Sequence, residues 1–233
     1  MATRVNALAV MAKAPLAGQV KTRLLPALSA EEAAELARSL LVDQLHHLEK
    51  LDDADGYLVF APEKGRRLME ALAPSCFRLF SQQGDDLGSR MEAIFSKLFA
   101  TGHRNIILIG GDLPPVPLVF FTEAYAFLHS ANRRVVLGPS RDGGYYLVGC
   151  NRPIPEIFRN MSWSHPQVLA QTREKLTALN VACHLLPSWF DIDTPADLRY
   201  LRSVSGRSLA TTMPHTLRLL QRLEASRTFG TID

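Results

Sequence analysis

Four segments of the 233-residue chain set charged side chains beside glycine or proline at the ends of short apolar runs. In Lys13-Ala-Pro-Leu-Ala-Gly-Gln-Val-Lys-Thr-Arg23, three cations (Lys13, Lys21 and Arg23) share one loop, and Gly18 frees the backbone to approach a ligand. That loop suits a phosphate group; its plainer reading is a solvated basic turn. Lys21-Thr22 is P-loop-like, but Val20 stands where that motif needs a glycine, so Walker-type binding is ruled out. Gly110-Gly-Asp-Leu-Pro-Pro115 ends the most hydrophobic run, where the Asp112 carboxylate is placed to hold Mg²⁺ or Mn²⁺, or to cap the next helix. In Arg141-Asp-Gly-Gly-Tyr-Tyr146, Gly143 and Gly144 permit close backbone approach, and Asp142 can meet a substrate or a metal-bound water. Asp-Gly is equally a hairpin-turn signal. In the fourth segment, Phe190 to Leu198, Thr194 or Asp193 before Pro195 reads as a helix N-cap. Asp191 and Asp193 then share one side of an extended stretch, where two carboxylates repel unless a cation lies near.

Lesser candidates surround these. Gln82, Gln83, Gly84, Asp86 and Arg90 form a polar turn, and a glutamine amide can pair with a nucleobase edge through its donor and acceptor. Trp163, Ser164 and His165 can wall a pocket for an acceptor. His46 and His47 sit on a helix without evident partners and read as surface. Neither a Gly-x-Ser-x-Gly nor a paired-cysteine motif occurs, so serine-hydrolase and zinc-site readings have no support.

Alternating strands and helices must position these loops. Ala7–Met11, Tyr57–Phe60, Phe77–Phe80, Asn105–Ile109, Val135–Leu137, Tyr145–Val148 and a stretch near Cys183–Leu186 read as strands. Between them, helical spacing runs from Ser29 (an N-cap with Glu31 and Glu32 behind it), through 68–72, 87–99, 118–128 and 168–179. A further helical pattern, Leu209–Leu223, lies outside the core, its apolar face (Leu209, Met213, Leu217, Leu220) packing on the same domain or on a partner. The alternation predicts an α/β fold with a parallel, doubly wound sheet, whose ligands sit at the strand ends.

Composition narrows the class. The 26 Lys and Arg against 23 Asp and Glu leave a formal charge of +3, with no basic stripe to follow a nucleic-acid backbone. Cys76, Cys150 and Cys183 are scattered and unpaired in pattern, as expected of a reducing compartment. The run from Ala7 to Ala12 is cut by Lys13, too short for a signal-peptide core, and no stretch reaches the roughly 18 apolar residues of a membrane span. A cytoplasmic protein is expected, of open oligomeric state.

Taken in order, Pro15–Leu24, Gln83–Met91, Ile109–Pro114, Gly138–Leu147 and Asp191–Leu198 resemble a bacterial family of GT-A-fold proteins provisionally assigned as glycosyltransferases and linked with radical-SAM and selenium-related domains or arsenosugar biosynthesis. That family is similar to 2-phospho-lactate guanylyltransferases and, more distantly, to molybdenum-cofactor guanylyltransferases. The resemblance covers roughly residues 5–200 and implies one GT-A-like domain: a nucleotide-binding half over about 1–112, an acceptor half over about 113–203, and a helical tail over 204–233. It implies that Lys13, Lys21 and Arg23, with Gly18, neutralise a nucleotide's diphosphate, and that Gln82 or Gln83, with Gly84 and Arg90, hold the base side. Asp112, with Asp191 or Asp193, would ligate Mg²⁺ or Mn²⁺. Gly143, Gly144, Tyr145 and Trp163 would face the acceptor, with Asp142 as base and Lys21 stabilising the leaving phosphate. The implied reaction is metal-dependent glycosyl transfer from a nucleotide-sugar to a small acceptor. Nucleotidyl transfer from a nucleoside triphosphate, releasing pyrophosphate, is the first alternative, and a catalytically silent nucleotide binder the second. One departure stands out: relatives often carry Ser or Thr where Gly111 precedes Asp112.

Overall fold

Period-two alternation in the first strand decides how the chain is layered. In the computed structural model, which describes residues 3–25, 27–204 and 211–229, β1 (Asn6–Lys13) sends Leu8, Val10 and Ala12 to one face and Ala7 and Ala9 to the other. Both sets are buried, so both faces of the sheet need a helical layer. On the first face pack α1 (Ala30–Leu48), through Leu41, Leu45 and Leu48, and α4 (Leu118–Leu128), through Phe121, Tyr125 and Leu128. On the second pack α3 (Leu87–Ala100), through Met91, Ile94, Phe95 and Leu98, and α5 (Val168–Ala178), through Leu176.

The remaining strands are β2 (Ala54–Ala61), β3 (Phe77–Ser81), β4 (Asn105–Gly110), β5 (Arg134–Pro139), β6 (Tyr145–Cys150) and β7 (Ala182–Leu185). They form one seven-stranded sheet in the order β3-β2-β1-β4-β6-β5-β7. The α/β architecture is the expected one, but β6 is antiparallel to both β4 and β5, so the doubly wound sheet is only mostly parallel. The reason is local. Ser140–Gly144 is too short for the crossover of a dozen or more residues that parallel neighbours need, so β5 and β6 close as a hairpin at Asp142-Gly143.

Capping sets the helix starts. Ser29 and Glu32 form a full capping box on α1, as expected, and Asp86 with Ser89 forms another on α3. Asp112 caps nothing: α4 begins after Pro117. Thr194 caps α6 (Pro195–Val204) by exchanging hydrogen bonds with Asp197. The C-terminal helix α7 (Pro214–Phe229) lies on α1, where Met213, Leu219, Leu220 and Leu223 close over Leu36, Leu40, Ile192, Leu198 and Leu201, with Leu217 at the margin. The tail's apolar face therefore covers its own chain; Leu209 lies outside the described residues. His47, expected at the surface, is buried and its Nε2 meets the Val116 carbonyl at 3.0 Å.

Candidate functional site

Strands β1, β4 and β5 end on one edge of the sheet, and β6 begins there, so the chemistry-bearing segments are the loops of a single edge. The order β3-β2-β1-β4 also makes the gap between β1 and β4 the point where the chain reverses its direction of winding, the usual crevice for a ligand. A cavity of about 810 Å³ opens there. It gathers Lys13, Lys21 and Arg23 from the first loop, Gln82 and Arg90 from β3 and α3, and Asp112 from the end of β4. From the far side come Asp142, Gly144, Tyr145, Trp163, Asp191 and Asp193.

Four of the expected residues stand apart from its walls. Gly18 takes a left-handed φ of +72° in the first loop. Gln83 turns outward, donating to Ser81 Oγ at 3.3 Å and lining a smaller cleft of about 210 Å³. Gly84, at φ +123°, offers its carbonyl to Arg90 Nε at 2.9 Å and so shapes the turn. Gly143, at φ +88°, backs onto Pro166, whose carbonyl oxygen would lie 2.1 Å from any added Cβ.

The centre of the cavity is a charge cluster. Lys21, at φ 49° in the left-handed region, buries its side chain to 3% exposure. Its Nζ donates to Asp112 Oδ2 at 3.0 Å, to Asp193 Oδ1 at 2.9 Å and to the Asp112 carbonyl at 3.4 Å. An ammonium has three N–H donors, and all three are engaged. Burial alone would lower the Lys21 pKa, but the charges of Asp112 and then Asp193 outweigh it and raise it. The Lys21 charge in turn holds the Asp112 carboxyl below its ordinary value, against its own desolvation. Asp191 has no such cation partner among the described residues: burial first, then Asp193 and Asp112, push it up to about 6. Lys13 and Arg23 line the same space as exposed cations.

Carboxylate oxygens of this kind suit Mg²⁺ or Mn²⁺. Yet no group of three or more acidic, histidine or cysteine side chains is arranged to hold a metal among the described residues. A complete protein cage is thus missing. The donor set fits a cation held by one or two carboxylates and by phosphate oxygens, as Mg²⁺ commonly is.

The other side chains divide in what they leave free. Gln82 Nε2 donates to the Ala12 and Val59 carbonyls at 3.0 and 3.1 Å, so both its hydrogens serve the backbone and only Oε1 is left for a ligand. Asp142 accepts from Ser140 Oγ and, at 3.0 Å, from Gly144 N, both on Oδ1. This turn was legible as Asp-Gly, but the part of Ser140 was not. Arg141, which sequence reasoning left without a role, stacks 3.9 Å from the Tyr200 ring centroid and donates to its hydroxyl at 2.7 Å. It ties the hairpin loop to α6. Trp163 packs edge-on to Tyr145 and over Gly88, where an added Cβ would meet its ring nitrogen at 2.8 Å. Gly111 answers the departure at the strand end: a Cβ there would lie 2.8 Å from Ala12 Cβ and 3.1 Å from Leu41 Cδ1. Close packing of β4 on β1 and α1 therefore disfavours a hydroxyl-bearing residue at that position, since a neighbour would have to shift.

Comparison with known proteins agrees with this architecture. Residues 44–165 match a family described as an uncharacterized protein conserved in bacteria, DUF2064. A solved protein from Desulfovibrio desulfuricans G20, provisionally named a nucleotide-diphospho-sugar transferase, is 30% identical with a TM-score of 0.87, over 96% of both chains. The 4-diphosphocytidyl-2C-methyl-D-erythritol synthase of Anaerococcus prevotii (8% identity, TM-score 0.57, 85% of this chain and 95% of that one) shares the fold. So does a cytidylyltransferase of Leptospira borgpetersenii (11%, 0.57, 97% and 96%). No curated protein matches the chain. The α/β fold is that of the nucleotide-diphospho-sugar transferases, GT-A-like as the resemblance implied. No described helix is long and apolar enough to cross a membrane.

Proposed function

The chain belongs to the bacterial family DUF2064, and from that premise we propose that it is a nucleotide-dependent transferase moving a sugar from a nucleotide-sugar to a small acceptor. The observation that carries this reading is a cavity at the β1–β4 edge in which the cations Lys13, Lys21 and Arg23 meet the carboxylates Asp112, Asp191 and Asp193. The name given to the Desulfovibrio relative, similar over nearly the whole chain, favours sugar transfer. Nucleotidyl transfer is the second reading, favoured by the same cations, which would serve a triphosphate equally well.

In this reading residues up to about 112 bind nucleotide and those of about 113–203 bind the acceptor. Lys13 and Arg23 meet the diphosphate, and Lys21 joins them on leaving its carboxylates. Gln82 Oε1 and Arg90 face the base side. Asp112 and Asp193 would hold Mg²⁺ or Mn²⁺, which when bound would supply charge stabilisation for the departing phosphate. Asp142 takes the proton of the acceptor hydroxyl through Oδ2, since both donors from its own turn fall on Oδ1. Tyr145, Trp163 and Gly144 bound the acceptor space.

Calorimetric titration with a panel of nucleotide-sugars and nucleoside triphosphates, with Mn²⁺ and with chelator, tests the reading. Metal-dependent preference for one nucleotide-sugar is the expected result, and it should vanish in Asp112→Ala. Preference for a bare triphosphate would move the assignment to nucleotidyl transfer. Absence of binding throughout would sink both.

A further inference from the structure

We infer that Lys21 is a built-in counter-ion that occupies the place of the divalent cation between Asp112 and Asp193, so that ammonium and metal exclude one another there. The inference rests on the assignment of those two carboxylates in the proposed function. Its basis is stoichiometric. The same Oδ atoms that would ligate a metal, Asp112 Oδ2 and Asp193 Oδ1, are the ones that Lys21 Nζ holds at 3.0 and 2.9 Å. With the third donor on the Asp112 carbonyl, the ammonium has none left for a phosphate.

Two functions are therefore locked together. While Lys21 is seated, Asp112 Oδ2 and Asp193 Oδ1 are turned to the ammonium rather than to a metal, and the lysine has no N–H left to clamp a phosphate. Unseating it without replacement would leave the Asp112 and Asp193 carboxylates, both held within 3.0 Å of one ammonium, facing one another without a counter-charge. A divalent cation removes that obstacle and frees the ammonium, on its flexible four-carbon stem, for the phosphate side of the cavity. Exchange is thus favoured when cation and phosphate arrive together, and opposed when either comes alone. The consequence is an entry rule: the free protein holds Mn²⁺ poorly, and the nucleotide–metal complex is the species it accepts.

The test uses Mn²⁺ alone, followed by electron paramagnetic resonance, on the full chain without nucleotide. Lys21→Met keeps the length of the stem and removes the charge. It should bind one Mn²⁺ about tenfold or more tighter than the wild type, by removal of a competing buried charge, and the gain should disappear in Lys21→Met with Asp112→Asn. Equal or weaker Mn²⁺ binding by Lys21→Met overturns the inference. Should that variant fail to fold by circular dichroism, acylation of Lys21 in the wild type, read by peptide mass spectrometry, decides. Labelling should rise several-fold on adding saturating Mn²⁺, and unchanged labelling overturns the inference. Both readouts are free of nucleotide, so their failure is distinct from failure of the transferase reading, which falls only if no nucleotide binds.

Discussion

At the scale of single residues, two positions carry constraints that their neighbours define. Gly111 is pressed between β1 and α1, and a side chain there must displace Ala12, Leu41 or Val10. Restoring the hydroxyl common among relatives, by Gly111→Ser, should therefore destabilise the protein by about 1–3 kcal/mol through overpacking, read as a lower urea midpoint. An unchanged midpoint would show that the strand pair has room. His47 is constrained by what it lacks. Its Nε2 donates to the Val116 carbonyl, while its Nδ1 is buried without a partner among the described residues. Burial lowers its pKa below the ordinary 6.5, so below that pH the unfolded chain takes up a proton that the folded one resists. Stability should hold above pH 6.5 and decline as pH falls below it. In His47→Gln that decline should flatten; parallel curves for the two proteins would remove His47 as its source.

Between elements, the most economical joint is Asp43 on α1. Its carboxylate, 1% exposed, accepts from His215 N at 3.0 Å and from Thr216 N and Oγ1 at 2.8 Å, satisfying first-turn donors of α7. Asp43→Ala strands those donors in a buried interface and should cost about 1–3 kcal/mol. The loss should be local, appearing as faster amide exchange and faster tryptic cleavage within α7 before the sheet is affected. Asp43→Asn, which keeps an acceptor oxygen, should lose less; equal losses would mean that charge, not the cap, holds the joint. This joint was not legible in advance, because its partners are separated by most of the chain and an acid in mid-helix reads as solvated surface. The helix starts were legible, since Ser29 and Thr194 signal through neighbours three residues away. The antiparallel β6 lay between these cases: Asp142-Gly143 announced a hairpin locally, but strand–helix alternation elsewhere argued for a parallel neighbour. Loop length settled it, and loop length depends on both strand ends being correctly placed.

For the molecule as a whole, the same contrast governs the candidate site. Its loops could be listed from the sequence, because strand ends in an open α/β sheet converge on one edge whatever the side chains are. Which donors remain free could not be listed. The pairing of Asp112 and Asp193 with the one ammonium of Lys21, and the use of the Gln82 amide on backbone carbonyls, follow from distances between strands that no spacing encodes. A cavity built from both halves of the chain has a thermodynamic consequence, since a ligand that spans it binds only the folded state. With nucleotide-sugar and Mn²⁺ present at a hundredfold over the dissociation constant, linkage adds about 2.7 kcal/mol of stability. For a chain of this size that corresponds to a rise in Tm of about 5–11 °C. Ligand that engaged the first loop alone would have a larger dissociation constant and, at the same concentration, give a smaller shift. Asp112→Asn should abolish the rise at the same concentrations. A full shift in that variant would place the bound nucleotide away from the strand-end aspartate, and with it the cavity assigned here.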